Sequence, residues 1–176
     1  MKPPFLTGEH VYIRAMLATD KDCASAWFDS VFPVNAERAE DFLRENVQDR
    51  WGEAKRERYV IARSSNDEVI GGIITDTLDY RTTTLTFRMA PHLSPSDADE
   101  FKASALRLVV PWLRDEYEYM AQSIPIAADE SACLAAADEL DLVLGVQFRG
   151  YLARSGQRVD LLLYQALNPR WELPDA

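Results

Sequence analysis

Residues 84–102 read TLTFRMAPHLSPSDADEFK, and the fold turns on how this stretch is read. Leu85, Phe87 and Met89 alternate with Thr84, Thr86 and Arg88, the period of a strand with one apolar face. Four residues after Ala90, Ser94-Pro95-Ser96-Asp97 starts a helix, with serine at the cap, proline in the first turn and an acid three residues on. Phe101, Ala105, Leu108 and Trp112 carry that helix forward at helical spacing. Pro111 falls inside the pattern and predicts a kink or break near Arg107–Val110.

Working outward, Glu9–Ala15 alternates Val11 and Ile13 with Tyr12 and Arg14 and predicts a strand. Thr19 with Asp22 resembles a capping box that opens a helix through Ala24, Trp27 and Phe28. Asn35 can cap a second helix, with Phe42, Leu43 and Val47 on one stripe. Arg58–Arg63 and Val69–Asp76 are strands that precede Thr84–Ala90. Beyond the long helix come a strand at Tyr119–Ala127, an alanine-rich helix at Asp129–Leu140, and a hairpin of Val143–Leu152 with Arg158–Leu167 that turns at Ser155-Gly156. The order β-α-α-β-β-β-α-β-α-β-β predicts an α/β fold: a mixed, mostly antiparallel sheet with flanking helices.

The chain has 176 residues, 47% of them hydrophobic and 27% charged, which suits a single domain over 1–176 and excludes disorder. Its net charge of −10 argues against a nucleic-acid surface, which needs a basic stripe. Most of the excess sits between His92 and Asp141, where eleven acids face only Lys102, Arg107 and Arg114. No apolar stretch approaches a membrane span, and Met1–Gly8 holds two prolines instead of a signal-peptide core, so the expectation is a soluble cytoplasmic protein. Cys23 and Cys133 make no disulfide framework, and His10 and His92 are too isolated for a zinc site, so no metal is expected. The seven glycines form neither a dinucleotide fingerprint nor a Walker loop.

Three groups of residues stand out within this element order: Leu6-Thr7-Gly8-Glu9 and Val11-Tyr12-Ile13-Arg14 at the front with Asp20 at the first helix, Tyr59-Val60-Ile61 and Val69-Ile70-Gly71-Gly72 in the middle, and Ser131, Gly156, Asp160 and Tyr164-Gln165-Ala166-Leu167 with Trp171 near the end. On these residues and their order the chain resembles the GCN5-related N-acetyltransferase superfamily, nearest its ribosomal-protein-alanine acetyltransferase branch. What the resemblance implies is acetyl transfer from acetyl-CoA to a primary amine of a small molecule or peptide N-terminus. It also implies two central strands that splay apart, here Thr84–Ala90 and Tyr119–Ala127, with Phe87, Arg88 and Met89 along the pantetheine arm and Ser131 near the cofactor. The acidic surface suits a cationic acceptor. Tyr117, Tyr119, His92 and Glu130 lie near the slot in chain order, and no motif selects a catalytic base among them.

One motif departs from the family. Its pyrophosphate loop runs Arg/Gln-x-x-Gly-x-Gly/Ala, whereas here Asp97 stands at the arginine and Glu100, three residues on, at a glycine. No glycine occurs between Gly72 and Gly145, and Pro95 has no N–H to offer a phosphate. A carboxylate about 6 Å from a phosphate charge repels it by roughly 3 kcal/mol at an effective dielectric near 20, more than the roughly 0.3–1 kcal/mol a helix N-terminus contributes. The alternative is therefore a non-catalytic binding module with a degenerate pyrophosphate loop. A homodimer through the C-terminal hairpin, where Tyr151, Leu161 and Leu163 could pack across a partner, is compatible with either reading.

Overall fold

Strand-period segments interrupted by helical ones leave one edge of the sheet to be built from the N-terminus and the other from the C-terminus. In the computed structural model, which describes residues 5–28, 34–47, 56–77, 81–117, 119–154 and 156–171, the order is β1 (Leu6–Thr7), β2 (Val11–Ala15), α1 (Ala24–Trp27), α2 (Ala36–Val47), β3 (Arg56–Arg63), β4 (Val69–Thr77), β5 (Thr82–Met89), α3 (Pro95–Asp115), β6 (Ala121–Ala127), α4 (Ser131–Glu139), β7 (Val143–Arg154) and β8 (Gln157–Leu167). One sheet runs β1-β2-β3-β4-β5-β6-β8-β7, antiparallel except where β5 meets β6. The expected mixed α/β class and element order are found, with the short β1 added at one edge.

Helices cover the two faces of the sheet unequally. α3 lays Ala105, Leu106, Val109 and Val110 on a face made of Val11, Ile13, Ile61, Ile73, Leu85 and Ile124. Each of those large side chains is fully buried, worth about 1.5–3 kcal/mol apiece. On the other face, Trp27 of α1 with Ala39 and Leu43 of α2 pack near Val60. Gly72 permits that contact, because a Cβ there would sit 2.7 Å from the Trp27 Cβ.

Two local expectations need correction. First, α3 runs unbroken from Pro95 to Asp115 through Pro111. Val109, Val110 and Leu113 are buried around the proline, so tertiary packing outweighs its cost of about 3 kcal/mol. Second, the first helix is preceded by a 3-10 turn over Ala18–Cys23, and its box centres on Leu17 and Asp20 rather than on Thr19 and Asp22. The Asp20 carboxylate accepts the Leu17 N–H at 2.8 Å and hydrogen bonds from Arg14 Nη1 and Nη2 at 2.7 and 2.8 Å. Asn35 caps α2 as expected, accepting from the Arg38 N–H at 2.9 Å. The Val47 side chain and Ser155 of the hairpin turn lie outside the described residues, while Gly156 takes the positive φ of +78° that such a turn needs.

Candidate functional site

The two edges of β5 are treated differently. Toward β4 it is paired along its length, from Thr77↔Thr83 to Gly71↔Met89. Toward β6 it is paired only at Thr82↔Ala121, Thr83↔Gln122 and Thr84↔Ser123. β8 pairs the other edge of β6 throughout, from Ala121↔Leu167 to Ala127↔Leu161, while beyond Ser123 residues 85–89 part from β6. The splay expected of these two strands is therefore present, hinged at the Thr84 end and open toward Met89 and Ala127.

A cleft of about 760 Å³ opens at the wide end. Phe87 and Met89 of β5 and Pro125 and Ala127 of β6 form its apolar walls, and Leu152 and Leu161 of the C-terminal hairpin extend them. The N-terminus of α3 (Pro95, Ser96, Ala98) and the start of α4 (Ser131) close the mouth. Of the four residues expected along a cofactor, Phe87, Met89 and Ser131 line this cleft. Arg88 does not line it, because strand alternation turns its side chain away from the face of Phe87 and Met89.

A charge cluster forms the floor. Lys102, two turns into α3 and 7% exposed, donates to Glu130 Oε2 at 2.6 Å and reaches the Pro125 carbonyl at 3.5 Å. The same carboxylate accepts the Ala127 N–H at 2.9 Å, and its other oxygen accepts from Arg154 of β7 at 2.9 Å. Arg154 also reaches Asp129 at 3.0 Å. Burial pushes the Glu130 carboxyl up, but Lys102, the Ala127 N–H and Arg154 outweigh it and hold the group below the usual carboxylate range. A carboxylate held ionised in this way is a poor proton acceptor at neutral pH, so Glu130 organises the cleft.

Asp97, Asp99 and Glu100 read alike in sequence, as acids that complement their own helix dipole. The structure separates them. Asp97 exchanges hydrogen bonds with Ser94, its N–H to Ser94 Oγ at 3.1 Å and Ser94 Oγ to its carboxylate at 2.8 Å. Asp99 is buried and accepts the N–H groups of Ala132 and Cys133 at 2.8 and 3.0 Å, capping α4 and tying it to α3. Glu100 is exposed. The Cys133 thiol beside them is pushed up by burial and stays protonated.

These contacts decide what could sit at the mouth. Pro95 has no N–H, the Asp97 N–H is already satisfied by Ser94, and both cleft cations, Lys102 and Arg154, already hold carboxylates. A backbone cradle for a diphosphate does not fit here, and the slot between the splayed strands is walled by apolar side chains.

The remaining candidates lie elsewhere. Tyr119 Oη is 3.1 Å from Thr77 Oγ1 at the closed end of the splay, and Tyr117 stacks on Tyr119 with ring centroids 6.0 Å apart. His92 is exposed on its loop beside Glu68 at 3.1 Å. Sequence reasoning missed Lys102 and Arg154, whose Glu130 partner is 28 and 24 residues away in the chain. Among the described residues no group of three or more His, Cys, Asp or Glu side chains could hold a metal ion, and no helix is long and apolar enough to cross a membrane.

No protein-family model matches the chain, and no curated protein does. Solved structures do. A protein from Sphaerobacter thermophilus described as an acetyltransferase shares 48% identity over 97% of this chain and 99% of that one, with a TM-score of 0.75. The spermidine/spermine N-acetyltransferase of Vibrio cholerae superposes with a TM-score of 0.63 at 15% identity over 92% of this chain and 96% of its own. A GNAT-family acetyltransferase from Bacillus anthracis gives 0.61 at 13% identity over 93% and 98%. The last two share the fold, and the ribosomal-protein-alanine branch stays an expectation of the sequence. The splayed strands, the cleft between them and the identity across nearly the whole of the first relative together place the chain in the GCN5-related N-acetyltransferase family.

Proposed function

We propose that the protein transfers an acetyl group from acetyl-CoA to the primary amine of a cationic small molecule or a peptide N-terminus. The observation that carries this reading is the parting of β5 from β6 after Thr84↔Ser123, which leaves a slot with strand backbone on both sides. Phe87 and Met89 on one wall and Pro125 and Ala127 on the other would hold the pantetheine arm, with Ser131 at its mouth. When bound, acetyl-CoA supplies an acyl group activated as a thioester. The chain's part is to fix that group's position, to offer strand N–H groups from 85–89 toward a carbonyl, and to exclude water with the apolar walls. The acidic segment 92–141 raises the local concentration of a cationic amine. The same proposal includes a cytoplasmic location and an assembly of more than one copy.

A second reading has its own observation. The unsuitable helix start and the Lys102–Glu130–Arg154 cluster favour a non-catalytic module that binds cations on its acidic face. Incubation with acetyl-CoA and a panel of polyamines, aminosugars and peptides, followed by mass spectrometry, separates the two. The first reading predicts an acetylated amine and a stoichiometric yield of free CoA thiol. Absence of product from every amine, in the native protein and in a variant with arginine restored at Asp97 and glycine at Glu100, would leave the binding module.

A further inference from the structure

The helix starts that flank the cleft mouth turn their N–H groups to the chain's own acceptors. In α3 the Asp97 N–H goes to Ser94 Oγ at 3.1 Å and the Ala98 N–H to the Ser94 carbonyl at 2.9 Å. Before α4 the Ala128 N–H goes to the Asp160 carbonyl at 3.0 Å, and within it the Ala132 and Cys133 N–H groups go to the Asp99 carboxylate. Three acids, Asp99, Asp129 and Glu130, line the cleft against two cations, Lys102 and Arg154. All five are engaged within the chain, Lys102 with Glu130 and Arg154 with both Glu130 and Asp129. An anion at the mouth therefore meets more negative charge than positive, and it reaches either cation only by breaking an ion pair. Uncharged groups are received differently. Ser96 and Ser131 stand at the mouth, and Phe87, Met89, Pro125 and Ala127 wall the slot behind them. An apolar interior with a few neutral polar groups at its entrance is built for an uncharged ligand.

We propose that the cleft reads its donor by the arm alone, so that its donors form a class: short acyl thioesters of pantetheine that carry no nucleotide and no phosphate, acetyl-pantetheine being the simplest. The inference rests on the acetyl-transfer reading of this same site and widens its donor beyond acetyl-CoA. Without its phosphate the pantetheine arm ends in a primary hydroxyl, which both donates and accepts, and the hydroxyls of Ser96 and Ser131 suit it in either sense. With a diphosphate the same end brings negative charge among Asp99, Asp129 and the neighbouring Asp97, at separations that salt screens only in part. A remote part of a substrate helps the reaction only through contacts that hold it, and this mouth directs its donors elsewhere. The transfer itself uses no atom of the nucleotide. The amine nitrogen bonds to the acetyl carbon, the C–S bond breaks, and the proton lost by the amine ends on the pantetheine sulfur.

Calorimetric titration of the native chain with acetyl-pantetheine and with acetyl-CoA, in parallel at about 0.01 and 0.15 M salt, tests this. At the lower salt acetyl-pantetheine should bind, one per chain, at least as tightly as acetyl-CoA, and its affinity should change by less than about twofold between the buffers while acetyl-CoA gains at the higher salt. Asp129→Asn, at a cleft side chain 45% exposed, should tighten acetyl-CoA by about threefold and leave acetyl-pantetheine unchanged. Should that variant fail to fold, Asp97→Asn, at an exposed side chain, should act in the same direction. Acetyl-CoA binding more tightly than acetyl-pantetheine at 0.01 M salt would overturn the inference and leave acetyl transfer standing. An equal gain for both ligands in the variants would also overturn it, since the acids would then not discriminate by charge. Binding of neither ligand would overturn the inference together with the reading it rests on.

Discussion

Among the described residues, the ion pair Arg14–Asp20 and the cluster Lys102–Glu130–Arg154 both hold buried charge, and their surroundings separate them more than their geometry does. Arg14 and Asp20 meet at 2.7 and 2.8 Å with side chains 1 and 0% exposed, enclosed where the first helical turn docks on the sheet. Lys102, Glu130 and Arg154 meet at 2.6 and 2.9 Å beside an open cleft. The first pair serves the fold: Asp20 also caps its own turn, and its backbone carbonyl accepts the Trp27 indole N–H at 2.8 Å. The second joins α3, the start of α4 and β7 at the place where a ligand would enter. A close ion pair therefore does not mark a site by itself; adjacent empty volume does.

Substitutions should expose that difference, and the largest effect belongs to the enclosed pair. Asp20→Ala leaves Arg14 buried without its carboxylate and should cost about 3–5 kcal/mol in denaturant unfolding. The fraction that remains folded should bind ligand in the cleft as before. If the cost were under about 1 kcal/mol, water must reach the pair and the contrast would fail.

Glu130→Gln should cost less, about 1–3 kcal/mol, because the amide can still accept from Ala127 and the cleft admits water to Lys102 and Arg154. It should also tighten acetyl-CoA binding by about tenfold, or 1.4 kcal/mol, by removing a negative charge and releasing two cations. Unchanged affinity would mean the cluster is as structural as Arg14–Asp20.

The smallest effect is in pH dependence. The Glu130 carboxyl lies below its unfolded value of about 4.3, so its contribution is complete above that pH and is lost as pH falls through the folded value. The native protein should lose stability on acidification below about pH 4, and Glu130→Gln should flatten that limb in thermal melts at stepped pH. A parallel curve for the variant would show that Glu130 does not carry the linkage.

The sheet was legible in the sequence because alternation at Leu85, Phe87 and Met89 is a local signal, as is the Ser94-Pro95 helix start. The splay was expected from family resemblance and not from any property of residues 84–90 alone. Pro111 misled, because the burial of Val109, Val110 and Leu113 that sustains the helix comes from contacts distant in the chain. The site was half legible. Phe87, Met89 and Ser131 do line the cleft. Asp99 read as one of three equivalent helix-start acids, since nothing local reveals that its carboxylate caps a helix more than thirty residues away. Lys102 and Arg154 looked like isolated charges for the same reason.

The central claim is that the slot between β5 and β6 takes the acyl-bearing arm while the mouth repels the diphosphate. Calorimetric titration of the native protein with acetyl-CoA at about 0.01 and 0.15 M salt measures both parts at once, as the screening length falls from about 30 to 8 Å. The account predicts saturable binding at one site per chain that strengthens at the higher salt, because screening relieves repulsion between the acidic mouth and the phosphates. No heat of binding at millimolar acetyl-CoA in either buffer would contradict the slot, and affinity that falls steeply with salt would contradict the repulsive mouth.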